Sequence, residues 1–100
     1  MASFKIIWSP KAEKSYVRIS NFILEKWSLK EVKKFNDISS STILKIAKNP
    51  EMFIASRQHK NIRKGFISKH TSLIYKIKSD KTIELVYFWD NRQNPKKLKL

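Results

Sequence analysis

The chain has 100 residues, of which 22 are Lys or Arg and 8 are Asp or Glu, for a net charge of +14 with histidines neutral. It has no cysteine, which excludes a disulfide framework and a thiolate metal site. A single glycine excludes the Gly-rich phosphate loops of dinucleotide and Walker sites. No run approaches the roughly 18 apolar residues that a membrane span needs, and no signal-peptide core stands at the start, so a cytoplasmic protein without membrane association is expected. This length predicts one domain over residues 1–100, and 41% hydrophobic residues are enough for a small core. Basic residues outnumber acidic ones 10 to 4 in the first half and 12 to 4 in the second. Such an excess attracts polyanions: nucleic acid, an acidic protein or an anionic membrane surface.

Phe4, Ile6 and Trp8 alternate with Lys5 and Ile7, which predicts a first strand. Ser9-Pro10 follows as an N-cap and first helical residue, because proline lacks the N–H that would go unpaired there. Ala12, Tyr16, Ile19, Ile23 and Trp27 then form one helical stripe. Ser28-Leu29-Lys30-Glu31 is a capping box that starts a second helix at once. Its inner face reads Val32, Phe35, Ser39, Ile43 and Ile46, with weak helix formers at 39–42 that predict a soft middle. Asn49-Pro50 ends it, and two helices joined so closely should form an antiparallel hairpin.

Glu51 to Ile54 is expected to pack onto the helices, and Arg57 to Asn61 reads as a polar loop. Ile62 to Ser68 is a strand in which Arg63 and Phe66 project to opposite sides, and Gly65 marks a bulge or a close approach. After a turn at His70-Thr71, Leu73, Tyr75 and Ile77 alternate in the next strand. In the last, Ile83, Leu85, Tyr87 and Trp89 alternate with Glu84, Val86, Phe88 and Asp90. The predicted fold is α+β in the order β-α-α-β-β-β, with the helix hairpin packed on one face of a small antiparallel sheet.

Several cations converge on that sheet. Arg63 lies on the second strand with Lys64 beside it, Arg57 and Lys60 before it, and Lys69 and His70 after it. Arg92 leaves the last strand and is expected beside Arg63, with Lys96 and Lys97 following. Arg63 and Arg92 could stabilise charge on a phosphate during strand cleavage, anchor a phosphate without catalysis, or pair with Asp90 and Glu84. His70 has a side chain suited to acid–base work, or is a solvated turn histidine. Arg57, Lys60, Lys64, Lys69, Lys96 and Lys97 suit binding of nucleic acid or another target. Tyr75 and Tyr87 read as core residues, and Trp89 could stack a base or cap the core. Two histidines without flanking carboxylates suggest no metal site, and no cofactor is expected.

The element order, the opening Trp8-Ser9-Pro10-Lys11-Ala12 and the ending Asp90-Asn91-Arg92-Gln93-Asn94-Pro95-Lys96-Lys97 resemble the RelE/ParE family of toxins from bacterial type II toxin–antitoxin systems. The resemblance spans nearly the whole chain, and the D-x-R-Q-x-P-x-K phrase is its most specific part. It implies a growth-inhibiting toxin neutralised by an acidic antitoxin. RelE-like members cut mRNA on the ribosome without metal, using lysines and arginines on the sheet and a C-terminal tyrosine. ParE-like members inhibit DNA gyrase. By position, the catalytic cation of the second strand matches Arg63 and the arginine after the last strand matches Arg92. The second lysine of the RelE pattern falls at Gly65 or Lys64. The third-strand arginine falls near Ser72 and the tyrosine near Leu98. These departures favour the gyrase-type activity over the metal-independent endoribonuclease. A basic binding module without toxicity is the third reading.

Overall fold

The structure, a computed structural model, describes residues 3–78 and 80–92. Strand β1 (Lys5–Trp8) leads into helices α1 (Pro10–Lys26) and α2 (Leu29–Lys48), and a short 3-10 turn (Pro50–Met52) follows. Strands β2 (Ile62–Ser68), β3 (Thr71–Ile77) and β4 (Thr82–Asp90) complete the order β-α-α-β-β-β. None of the helices among the described residues is long and apolar enough to cross a membrane.

Strands β2, β3 and β4 form the expected antiparallel meander. The sheet as a whole is mixed, which corrects the wholly antiparallel expectation. The meander leaves β4 with a free side, and β1 fills it in parallel, from Lys5 opposite Thr82 to Trp8 opposite Leu85. Phe4, Ile6 and Trp8 face the core as their alternation predicts.

Both helix starts follow their caps. The Ser9 hydroxyl accepts from Ala12 N at 2.9 Å, and the Ser28 hydroxyl accepts from Glu31 N at 3.3 Å. The two apolar stripes meet: Tyr16 stacks on Phe35, and the Tyr16 hydroxyl donates to Asn36 Oδ1. Helix α2 runs unbroken through Ser39–Thr42, against the expected soft middle. Ser39 is buried there, so tertiary packing outweighs its weak helix preference. The α1 stripe stops at Ile23, and Trp27 is 58% exposed, because the helix ends at Lys26 and turns it out to the rim.

The core lies between the hairpin and one sheet face, where Leu73, Tyr75, Ile83, Leu85 and Phe88 meet Ala12, Phe35 and Ile46. The simple alternation of β4 fails here. Ile74 pairs with Tyr87 and Tyr75 with Leu85, so Val86 is an extra residue in a bulge. Beyond it the faces exchange: Phe88 enters the core, while Tyr87 and Trp89 turn to the far face. Helix α1 satisfies the bulge's backbone. Ser9 Oγ donates to Val86 O at 2.7 Å, and Phe88 N donates to Ser15 Oγ at 2.8 Å.

Gly65 marks a close approach, but of a side chain. A Cβ there would lie 3.0 Å from two ring carbons of Phe53. Phe53 thus packs into the space the glycine leaves open, whereas Ile54 is 87% exposed instead of packing on the helices. The bulge of β2 falls two residues later, at Ile67.

Candidate functional site

The sequence expectation set Arg63 and Arg92 side by side. The register separates them. Arg63 pairs with Tyr75, near one end of β3, while Asp90, two residues before Arg92, pairs with Thr71 at the other. Four residues of strand span about 13 Å. Directly paired residues share a face, so Arg63 lies with Tyr75 on the helix-covered side. The backbone of the covering segment meets it there. Arg63 Nη1 donates to Phe53 O at 2.6 Å and to Glu51 O at 3.2 Å. Its Nε is buried and has no hydrogen-bond partner. The Tyr75 hydroxyl donates to Pro50 O at 2.6 Å beside it. Burial pushes the Tyr75 phenol up to about 12, although the Arg63 charge pulls the other way. This cluster holds the segment after α2 onto the sheet.

The remaining cations disperse. Lys64 lies on the far face, paired with Ile74, next to a Phe66 ring that is 62% exposed. Arg57 and Lys60 stand in the exposed loop before β2, and Lys69 lies with His70 in the β2–β3 turn. Lys96 and Lys97 lie outside the described residues.

Arg92 and His70 are the two site residues that do come together. Thr71 and Asp90 pair at the strand ends, and Asn91 N then donates to His70 O at 2.7 Å. The Ser72 hydroxyl donates to Asn91 Oδ1 at 2.8 Å and fixes the exit of β4. Arg92 folds back onto Asp90. Its Nε donates to Oδ1 and its Nη2 to Oδ2, both at 2.9 Å. This two-point bond holds the Asp90 carboxyl below its usual range and raises the guanidinium above its own. The guanidinium carbon sits 4.8 Å from the Phe22 ring centre and 6.0 Å from that of Trp27. Pairing with Asp90 was among the sequence readings of this arginine. Its stacking under one α1 ring and the Trp27 ring just beyond that helix is not among them, because nothing in local spacing relates residues 22 and 27 to 92.

Beside this clasp a cleft of about 380 Å³ opens between the hairpin and the end of the sheet. Ile19, Ile23, Trp27, Phe35 and Ile38 form its apolar walls. Glu31, Lys34, His70 and Arg92 provide its charged and titratable groups. Cleavage of RNA by its own 2′-hydroxyl asks for a base, an acid and free positive charge on the phosphate. Here the arginine is already neutralised by a carboxylate and the walls are mostly hydrocarbon. The arrangement suits binding of an apolar, charged segment better than proton transfer.

Residues 6–95 match the family described as ParE toxin of type II toxin–antitoxin system, parDE. The chain belongs to the ParE toxin family. Among solved structures it is similar to a chain of the chromosomal ParDE toxin–antitoxin system from P. aeruginosa, with a TM-score of 0.72 at 11% identity. That match covers 88% of this chain and 96% of the other. It is also similar to a chain of the RelBE2 toxin–antitoxin complex from Mycobacterium tuberculosis, with a TM-score of 0.62 at 10% identity over 93% and 97% of the two chains. At these identities the two structures establish a shared fold. No curated protein sequence matches. For this ParE-family chain, the Asp90 clasp and the apolar cleft therefore lie on a known toxin framework.

Proposed function

We propose that this ParE-family toxin stops growth by binding its target, DNA gyrase, and not by cutting RNA, and that an acidic antitoxin encoded beside it holds it inactive. The observation that carries this reading is the fate of the two candidate catalytic arginines. Arg63 donates to the backbone carbonyls of residues 51 and 53 beneath the sheet, and Arg92 is neutralised by Asp90. Arg63 Nη1 and Arg92 Nε and Nη2 are engaged within the fold, so a phosphate would meet guanidinium groups that are already partly satisfied. The position near which the RelE pattern has its third-strand arginine is taken by Ser72, fully buried and bonded to Asn91. The net charge of +14 supplies the attraction for an acidic antitoxin.

One observation favours the ribonuclease reading: His70 shares the cleft with Arg92. Two assays separate the readings. Purified chain added to gyrase should block supercoiling, and the same chain added to a translating extract should leave mRNA intact. Ribosome-dependent cleavage with unaffected gyrase would overturn the proposal in favour of the nuclease. Inactivity in both assays would leave a binding module without toxicity.

A further inference from the structure

We propose that the face of the sheet turned away from the hairpin binds a single strand of nucleic acid, with the cations along β2 on its phosphates and Phe66 stacked on a base. This face lies across the sheet from the cleft, and the inference does not depend on which target the toxin stops.

Between Glu51 and Asp80 the chain has seven Lys or Arg and no carboxylate. One of the seven, Arg63, is engaged with the backbone beneath the sheet. Four others follow β2. Arg57 and Lys60 are exposed in the loop before it, Lys64 lies on its far face, and Lys69 is exposed in the turn after it. The seven residues of β2 span about 20 Å, so these cations form a line, as a surface that tracks a phosphate backbone requires. The far faces of β2, β3 and β4 carry one carboxylate, Glu84, and it lies opposite Lys76. The same pairing orders the rings. Phe66 pairs with Ser72 and Ser72 with Trp89, which sets Phe66 and Trp89 in one row about 10 Å apart. Phe66 is 62% exposed and stands edge-on to Phe53, while half-buried Trp89 stands edge-on to Tyr87. The adjacent row runs Lys64, Ile74, Tyr87, and Lys11 Nζ lies 4.6 Å from the Tyr87 ring centre. Cations thus border the rings on both sides of the sheet. An open sheet with rings among cations takes bases by their faces, whatever their sequence. Lysine decides between a nucleic acid and a protein as occupant. It is depleted at protein interfaces, whereas it meets phosphate readily as a point charge.

The test is fluorescence anisotropy of a labelled oligo-dT strand of about 12 nucleotides, titrated with the full chain at several salt concentrations. Arg57, Lys60, Lys64 and Lys69 on phosphates should give a slope of about −3 in log K against log salt. Phe66→Ala keeps the charge and changes a side chain that is mostly exposed. It should weaken binding by about 10-fold and leave the slope unchanged. Lys64→Ala should weaken binding and make the slope shallower by about 0.7. Arg18→Ala removes an exposed cation of α1, across the sheet, and should bind as the parent does. Circular dichroism confirms the fold of each variant. An oligo-rU strand of the same length separates the sources: equal affinity assigns the face to any single strand, and a preference assigns it to the sugar preferred. If Phe66→Ala binds like the parent, or Arg18→Ala weakens binding as much as Lys64→Ala, the attraction belongs to the net charge of +14 and the proposal is overturned. Tighter binding of a duplex overturns it as well, because paired bases offer no free face to a ring. If Phe66→Ala and Lys64→Ala keep the strand but no longer inhibit gyrase, the face belongs to a protein target, which also overturns it. No binding of either strand by the parent overturns it too, and leaves the gyrase reading standing, since that is measured by supercoiling.

Discussion

Arg63 and Arg92 are the same side chain at opposite ends of one sheet, and they perform different tasks. Arg63 lies beneath the sheet and bonds main-chain carbonyls that no side chain could have announced. Arg92 lies at the strand exit and bonds a carboxylate two residues away, with its flat face against aromatic rings at a cleft. The first joins two parts of the backbone. The second shapes a surface. A cation in a basic chain thus declares its role through what it faces, and facing is decided by strand register and the neighbouring segment.

The contrast predicts unequal costs of removal. Arg63→Ala leaves the Phe53 carbonyl without its donor in a part-buried place and the Glu51 carbonyl without it in an exposed one. A hydrogen bond to a charged donor contributes about 1.5–3 kcal/mol, and the exposed one less, so the variant should lose about 2–3 kcal/mol of stability in urea unfolding. A loss under about 1 kcal/mol would mean that water replaces the guanidinium, and would return Arg63 to the list of side chains available for a ligand.

Tyr75 sharpens the same end of the molecule through pH. Its phenol is raised to about 12 in the fold, chiefly by burial, against about 10 in the unfolded chain. Between these values the unfolded state releases the proton and the folded state keeps it. The unfolded state then binds fewer protons, so stability falls as pH rises. The contribution is intact below pH 10 and is lost progressively up to about 12, a decrease of about 2–3 kcal/mol at 1.36 kcal/mol per unit. Tyr75→Phe should be less stable at neutral pH, because Pro50 O loses its donor, and should show a much flatter alkaline limb. An equally steep limb in the variant would place the titration elsewhere.

Much of this framework was legible in the sequence because its signals are local. Ser9-Pro10 and Ser28-Glu31 place both helix starts through hydrogen bonds spanning three residues. The short connections from β2 to β3 and from β3 to β4 link strands that need no long-range information to pair. The misreadings arise where distant parts of the chain decide. Alternation in β4 cannot reveal the bulge at Val86, because Ser9 and Ser15 on α1 satisfy the groups it frees. The exchange of faces that follows brings Phe88 into the core in place of Tyr87. Arg63 projects away from Phe66 as strand alternation predicts, but which side the hairpin covers follows from packing of the whole sheet. Proximity to a sheet end predicts Arg92 beside Arg63, but the antiparallel register puts those ends on opposite sides.

The smallest expected effect is at Arg92, and it tests whether that residue is a surface element. The guanidinium is 38% exposed and Asp90 20% exposed, so solvent screens their pair. Arg92→Ala should cost about 1 kcal/mol or less at neutral pH, from the ion pair together with the stacking on Phe22 and Trp27. Asp90 ionises more readily in the fold because Arg92 bonds its carboxylate. The stabilisation from this pair is therefore present above the unfolded carboxylate value near 3.9, and is lost as pH falls through the lower folded value. The parent should show a slightly steeper acid limb than Arg92→Ala, and Asp90→Asn should share the variant's flatter one. Trp27 gives a second readout, since its fluorescence should shift when the cation leaves its ring even if stability hardly moves. A cost near that of Arg63→Ala would show that Arg92 also holds the backbone together, and the division between a structural end and a surface end of the sheet would fail.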